Sequence, residues 1–287
     1  MKQFVVISGK GGTGKTSVTA GLAAVGKDMV LADCDVDAAD LHLVLAPEIR
    51  ERHDFISGVV ASIEPEACIS CGLCTTHCRY GAIPQGYAPQ VAPEHCEGCG
   101  VCAHVCPTGA ARLSDRRCGE WYVSDTRFGP MVHAALGIGE ENSGKLVSTV
   151  RTRARELAEA RDASVVLIDG SPGVGCPVIA SLAGADAALA VTEPTVSALH
   201  DLERVHALAR HFDVRMAVLL NKADIHPGMA ERIIGYCTTH DLPLVGRFGF
   251  SPLFVQAQLE GRTLPEQDSG EWRQRFNGVW NQLLALV

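Results

Sequence analysis

Near the start of the chain, SGKGGTGKTS from Ser8 to Ser17 places two lysines in a glycine-rich turn behind the apolar run QFVVI. Gly9 to Thr16 reads G-x-x-x-x-G-K-T. A turn of this kind aims the backbone N–H groups of Gly9, Gly11, Gly12, Thr13 and Gly14 at phosphate oxygens, Lys15 reaches the β- and γ-phosphates, and the Thr16 hydroxyl suits Mg²⁺. The segment that continues through Ser17, TSVTAGLAAVG, reads as a helix, so a bound phosphate would also meet a helix N-terminus. Lys10 is surplus to that chemistry. A second glycine–lysine match, GEENSGKL from Gly139, ends in Leu146 behind no comparable apolar run, which predicts a loop without phosphate.

The second constellation is made of thiols. CISCGLCTTHC spaces Cys68, Cys71, Cys74 and Cys78 as C-x2-C-x2-C-x3-C, and CEGCGVCAHVCP repeats the spacing with Cys96, Cys99, Cys102 and Cys106. Gly72 aligns with Gly100, Gly81 with Gly109 and Ala82 with Ala110, so the segment is an internal duplication. Zinc sites usually pair two C-x-x-C knuckles, whereas a triple cysteine run closed by a fourth is iron–sulfur spacing. The duplication resembles the bacterial two-cluster ferredoxins. That resemblance implies one [4Fe–4S] cluster on Cys68, Cys71, Cys74 and Cys106 and a second on Cys96, Cys99, Cys102 and Cys78. It departs at Cys78-Arg79, where the pattern has the Cys-Pro kept at Cys106-Pro107. Proline donates no ligand atom, so Arg79 predicts an altered potential or docking surface and not a lost cluster. Few large aliphatic residues lie between Glu64 and Leu113, so clusters would have to hold the segment folded.

The remaining composition restricts the setting. The chain has 287 residues, 47% hydrophobic and 20% charged, with a formal net charge of -8. Such a balance argues against nonspecific nucleic-acid binding and against an anionic membrane as the partner. Strand-like sequence from about residue 3 leaves no room for a signal peptide, and no apolar run approaches spanning length. The expectation is a cytoplasmic protein, where twelve cysteines serve as metal ligands sooner than as disulfides.

These residues need elements to position them. QFVVIS, MVLAD, SVVLIDG, ADAALAVT and VRMAVLLN are short runs apolar on both faces, as buried parallel strands are. KLVSTVRTRARELAEA and SALHDLERVHALARHF carry helical spacing between them. The pattern predicts an α/β fold with a doubly wound, mostly parallel sheet, interrupted by a small ferredoxin-like insertion. The expected divisions are 1–56 and 115–287 for the two parts of the P-loop domain and 57–114 for the insertion. Asp33, Asp35 and Asp37 in DCDVDAADLHL, Asp169 in DGSPG and Asn221 in NKAD then fall at strand ends, where open α/β sheets place ligands.

Together KGGTGKT, DCDVDAADLHL, DGSPG, NKAD and TEPTVSALHDLERV resemble the deviant Walker A ATPases of the MinD, ParA and Mrp kind. The resemblance implies ATP and Mg²⁺, with Thr16 and Asp169 at the ion, Asp35 on the attacking water and Asn221 on the purine edge. Asp33 would either support the Mg²⁺ shell or hold a strand-end turn. NKAD also resembles a guanine-reading sequence, so the choice of ATP rests on the family. In that superfamily the first lysine of the motif reaches the partner's phosphates in a nucleotide-sandwich homodimer, the role implied for Lys10.

Three functions follow as expectations. The first is an ATPase whose dimerisation couples ATP turnover to electron transfer or redox-partner docking through two clusters. The alternative is a positioning or scaffold ATPase with the cysteine segment as redox sensor or docking module. The third is an Mrp-like cluster carrier, disfavoured because no C-x-x-C lies in the C-terminal half. Cys34, Cys118, Cys176 and Cys237 read as packed thiols, although Cys176 sits about where the nitrogenase iron protein has a cluster ligand. GEWRQRFNGVWNQLLALV has one broad apolar helical face and few basic residues, which predicts packing against the sheet and not a membrane foot.

Overall fold

A computed structural model describes residues 1–137, 140 and 143–287. Its strands are β1 (Lys2–Ser8), β2 (Met29–Asp33), β3 (Glu48–Ile63), β4 (Ala111–Thr126), β5 (Gly129–Leu136), β6 (Val165–Pro172), β7 (Ala187–Thr192), β8 (Arg215–Leu220) and β9 (Leu244–Arg247). Its helices are α1 (Lys15–Val25), α2 (Leu41–Leu45), α3 (Leu73–His77), α4 (Val101–Val105), α5 (Ser143–Ala160), α6 (Cys176–Leu182), α7 (Val196–His211), α8 (Pro227–Thr239), α9 (Leu253–Leu259), α10 (Leu264–Gln267) and α11 (Glu271–Leu284). The chain divides into two compact units. The first holds residues 1–53, 121–135 and 143–287, and the second holds 54–120 with the described residues of 136–142.

The sheet order is β3-β4-β5-β2-β6-β1-β7-β8-β9, and every pairing from β5 through β9 is parallel. β1 lies between β6 and β7, so the turn that follows it opens at a point where the strand order reverses. That is where doubly wound sheets bind ligands. The five strands with continuous apolar runs, β1, β2, β6, β7 and β8, are buried nearly throughout because helices cover both faces. β3 and β4 escape a hydrophobicity reading. Each is 16 residues long, charged and mostly accessible, and each supplies residues to both units.

The core of the first unit runs from Phe4 and Leu22 through Leu31 and Leu167 to Phe248, Phe276 and Trp280. α11 closes it: Trp272, Phe276, Val279, Trp280 and Leu283 are all buried, with the Trp280 ring edge-on to Phe4 at 5.6 Å. A Cβ at Gly21 would collide with the Phe276 ring, so this glycine permits the close contact of α1 with α11. The apolar face of the last helix is spent inside the protein. No helix among the described residues is long and apolar enough to cross a membrane.

The second unit shows its duplication in its backbone. A one-turn 3-10 segment, Pro65–Ala67 or Pro93–His95, precedes the first cysteine of each run. Gly72 and Gly100 then cap α3 and α4 with φ of 74° and 78°, and Gly81 and Gly109 follow at 67° and 69°. Left-handed backbone at four equivalent places explains the four glycines. Its core consists of Ala61, Ala82, Ile83, Cys96, Cys102 and Ala111.

Candidate functional site

β1 ends at Ser8 and α1 begins at Lys15, so the glycine turn is held at both ends by regular structure. Gly12 and Gly14 take φ of 80° and 94°, conformations that side-chain-bearing residues rarely adopt. A Cβ at Gly11 or Gly12 would meet nothing within 4 Å, whereas one at Gly9 would collide with Asp201. The turn therefore keeps one open face and one packed against α7. Asn221 braces it from behind: its Nδ2 donates to the Thr13 carbonyl at 2.8 Å, and its Oδ1 accepts the Lys222 N–H at 3.0 Å. Asn221 is 5% exposed, so here it buttresses the loop.

In front of the turn the predicted polar residues converge. Lys15 Nζ donates to Asp169 Oδ1 at 2.9 Å and lies 3.2 Å from Asp35 Oδ2. Thr16 Oγ1 donates to Asp169 Oδ2 at 2.7 Å, and Thr19 Oγ1 reaches Asp169 Oδ1 at 2.8 Å. Asp33 accepts the Asp35 N–H at 3.1 Å, the strand-end turn role, while its buried Oδ2 has no partner among the described residues. Asp37 is exposed.

The charges set the chemistry. Burial alone would depress the Lys15 ammonium, but Asp169 and Asp35 outweigh it and raise its pKa. Burial also lifts Asp33 well above the carboxylate range, with Asp169 adding to the effect, and burial lifts Asp35 against the pull of Lys15. Three buried carboxyl groups thus share one ammonium. Such a cluster lacks positive charge, and a divalent cation would supply it. Among the described residues no three acids, histidines or cysteines converge on a single-ion site. Mg²⁺ does not require that, because it keeps several waters and takes one or two carboxylates plus substrate phosphates. Thr16 and Asp169, hydrogen-bonded to each other, are a hydroxyl and a carboxylate that could serve such an ion.

Lys10 points elsewhere. Its Nζ lies 2.7 Å from Glu193 Oε1 and donates to Thr195 Oγ1 at 3.1 Å and Ser197 Oγ at 3.2 Å, all on its own chain. Lys222 grips the other Glu193 oxygen at 2.9 Å and the Gly12 carbonyl at 2.8 Å. Burial would raise the Glu193 carboxyl, yet hydrogen bonds from the two lysines hold it below its ordinary range. Glu193, Thr195, Ser197, Lys222 and Thr19 were not singled out by sequence reasoning. TEPTVS, NKAD and the Thr16-to-Thr19 helical spacing carry them, but none shows its partner, which for every side-chain contact given for them except Lys222–Glu193 lies 150 residues or more away in the chain.

In the second unit the two quartets separate. Cys68, Cys71, Cys74 and Cys106 line one cavity, and Cys78, Cys96, Cys99 and Cys102 line another. Each cavity therefore draws three thiols from one run and the fourth from the other. Backbone N–H groups approach two of the sulfurs, Ala61 at Cys96 Sγ (3.4 Å) and Ala111 at Cys106 Sγ (3.5 Å). The Ala111 contact lowers the Cys106 thiol to about 7, while burial raises Cys102. The donor sets are soft and all-sulfur.

Two expectations are corrected. Cys176 is exposed, not packed, because it is the first residue of α6 and the inward face is taken by Val178, Ser181 and Leu182. In GEENSGKL, Ser143 to Leu146 form the first turn of α5, not a loop; its sustained amphipathic pattern begins there. Gly139, Glu141 and Asn142 lie outside the described residues. Cys34, Cys118 and Cys237 are buried, as expected.

Comparison with known proteins bears on the first unit most directly. Residues 4–264 match the family model described as CobQ/CobB/MinD/ParA nucleotide binding domain. An uncharacterised protein of Methanocaldococcus jannaschii, MJ0578, is 33% identical over 77% of this chain and 78% of its own length. A second from that organism, MJ0579, is 25% identical over 82% and 84%. Among solved structures, MinD of Pyrococcus horikoshii with Mg-ADP superposes with a TM-score of 0.61 at 19% identity, covering 99% of this chain and 97% of that one. The MinC:MinD complex of Aquifex aeolicus gives 0.60 at 18%, over 99% and 96%. The loop, the acids at the strand ends and the matched length agree, and the chain belongs to the CobQ/CobB/MinD/ParA nucleotide-binding family.

Proposed function

We propose that this chain is an ATP-driven switch of the MinD/ParA kind, which pairs with a second copy when ATP is bound and then docks a protein partner. The observation that carries this reading is the convergence of Lys15, Thr16 and Thr19 on Asp169, with Asp35 on the same Lys15 ammonium, in front of an open glycine turn. The solved relatives add support, since MinD is found with Mg-ADP and, in another organism, with MinC. With nucleotide bound, Lys15 would exchange the carboxylates for the phosphates, Thr16 and Asp169 would hold Mg²⁺, and Asp35 would orient the attacking water. Mg²⁺, when bound, neutralises phosphate charge. Asn221 keeps the loop in place and offers its edge to the purine. Lys10 exchanges Glu193 for the partner's phosphate, so the Glu193 pair is the resting position of a residue that works in the dimer.

Nucleotide titration and sedimentation separate these roles. Lys15→Ala loses nucleotide binding, whereas Asp35→Ala binds ATP, hydrolyses it slowly and accumulates as dimer. Lys10→Ala keeps monomer affinity but loses the ATP-dependent dimer. Normal dimerisation of Lys10→Ala would sink the cross-subunit role, and parental turnover in Asp35→Ala would sink the water assignment.

A specific observation favours a second component of this reading. The two cavities, each lined by a quartet of thiols drawn from both runs, fit two [4Fe–4S] clusters held by Cys68, Cys71, Cys74 and Cys106 and by Cys96, Cys99, Cys102 and Cys78. The clusters supply one-electron chemistry, and the second unit serves as a redox sensor or docking module for the switch. Iron analysis should give about eight irons per chain, with a reducible EPR signal. Stoichiometric zinc without such a signal would remove the component. Potentials that move on adding ATP would promote it from sensor to electron carrier.

A further inference from the structure

Away from the glycine turn, a cavity of about 270 Å³ opens beside α5, α6 and the start of β1. Its polar lining is Gln3, Ser148, Arg151, Thr152 and Arg155, completed by small residues at the end of α6. No carboxylate is among the described residues that line it, in a chain of formal net charge -8. The glycine turn follows the C-terminal end of β1, whereas Gln3 stands at its N-terminal end. The cavity is therefore separate from the nucleotide site.

Arg151 is the fixed part of this cavity. Its Nη1 donates to the Ala180 carbonyl at 2.8 Å and to that of Ala183, and its Nη2 donates to Gln3 Oε1 at 2.9 Å. Its buried Nε has no partner among the described residues. All three acceptors are neutral, so the guanidinium is oriented without being neutralised, and burial works against its charge. Arg155 is the weakly held part. Its ion pair with Glu159 is 3.8 Å long between two exposed side chains, a contact of small value.

We infer that this cavity binds a small oxyanion, a phosphate or carboxylate group, between Arg151 and Arg155 with the Thr152 hydroxyl at its rim, the Ser148 hydroxyl being spent on the Gly144 carbonyl. Planar guanidinium groups match the geometry of both anions, and an anion here would relieve the repulsion between the two cations. The volume falls just under the roughly 300–1,000 Å³ of pockets for drug-sized ligands, a size that suits a small acid.

The test fills the glycine turn first, with Mg²⁺ and a nonhydrolysable ATP analogue, so that added anion cannot bind there. Inorganic phosphate and succinate are then titrated separately while arginine Nε–H resonances are followed by NMR. The Arg151 and Arg155 signals should shift saturably with at least one of them, and which one responds identifies the group. Arg155→Gln should weaken that response about tenfold or more, the loss expected of a charge-assisted contact. Thr152→Glu, at an exposed position, should abolish it by placing the chain's own carboxylate in the cavity while the amide spectrum elsewhere stays unchanged. No saturable shift with either anion, or an undiminished shift in both variants, would overturn the inference.

Discussion

The two units reach order by different means. In the first, whole side chains such as Phe4, Leu22, Leu31, Leu167, Phe248 and Phe276 meet in a core, and each buried residue of that size contributes roughly 1.5–3 kcal/mol. In the second, Ile83 is the one large aliphatic among the buried residues of its cluster, and alanines and cysteines make up the rest. A core of that kind cannot offset the entropy of ordering its loops. The lesson is that the first unit has an apolar core of its own, whereas the second, on the reading proposed above, would depend on a bound group for its order. Lys15, Asp35 and Asp169 satisfy one another without nucleotide, whereas the proposed clusters would be the second unit's own scaffold.

The sharpest way to break this contrast is to remove the iron of the proposed clusters. Chelation under oxidising conditions should unfold residues 54–120 entirely by hydrogen exchange, while nucleotide affinity in the first unit changes less than about twofold; protection surviving in both units would show that the small core suffices. Next in size, Phe276→Ala should cost about 3–5 kcal/mol in thermal or denaturant unfolding of the first unit and leave iron content unchanged. A loss under 1 kcal/mol would mean that α11 is not an integral part of that core.

Smaller effects probe the ion pairs of the first unit. Glu193→Gln removes the charge gripped by Lys10 and Lys222, and should weaken the resting monomer by about 1–3 kcal/mol while increasing the ATP-bound dimer fraction. Sedimentation showing fewer dimers would contradict its role as a resting latch. Arg127 is a structural counterpart: its fork holds Glu266, with carbonyls of Val44, Leu45 and Gly261. Burial would raise Glu266, but Arg127 and Thr263 hold it at about 2 against an ordinary 4.5. A depressed carboxyl stabilises the fold above its unfolded pKa and loses that contribution as pH falls through the folded value. The Tm gap between parent and Arg127→Ala should therefore be full above pH 4.5 and close toward pH 2. A gap unchanged over that window would assign the effect to the carbonyl contacts alone.

Much of the site was legible because its chemistry is local. Gly9 to Thr16 must be contiguous to wrap a phosphate, and a strand apolar on both faces announces its own burial, so β1, β2, β6, β7 and β8 and the lysine–threonine pair could be read directly. β3 and β4 could not, since their side chains are charged and their pairing lies with distant strands. Cys176 was misread for a related reason: a thiol's burial depends on which helix face it occupies, and its place at the start of α6 is not encoded in its neighbours.

By itself the sequence determined the glycine turn, the duplicated cysteine spacing, the alternation of strands and helices and the family, each resting on residues near one another in the chain. Tertiary structure alone decided who meets whom. It put Glu193 between Lys10 and Lys222, Asn221 behind Thr13, Thr19 on Asp169 and Arg151 against the end of α6. The contacts around the glycine turn form because parallel strands bring their C-terminal ends to one edge, and Arg151 meets α6 toward the opposite end of β1. An ion pair's partner is fixed by that folding and not by any local pattern of charge.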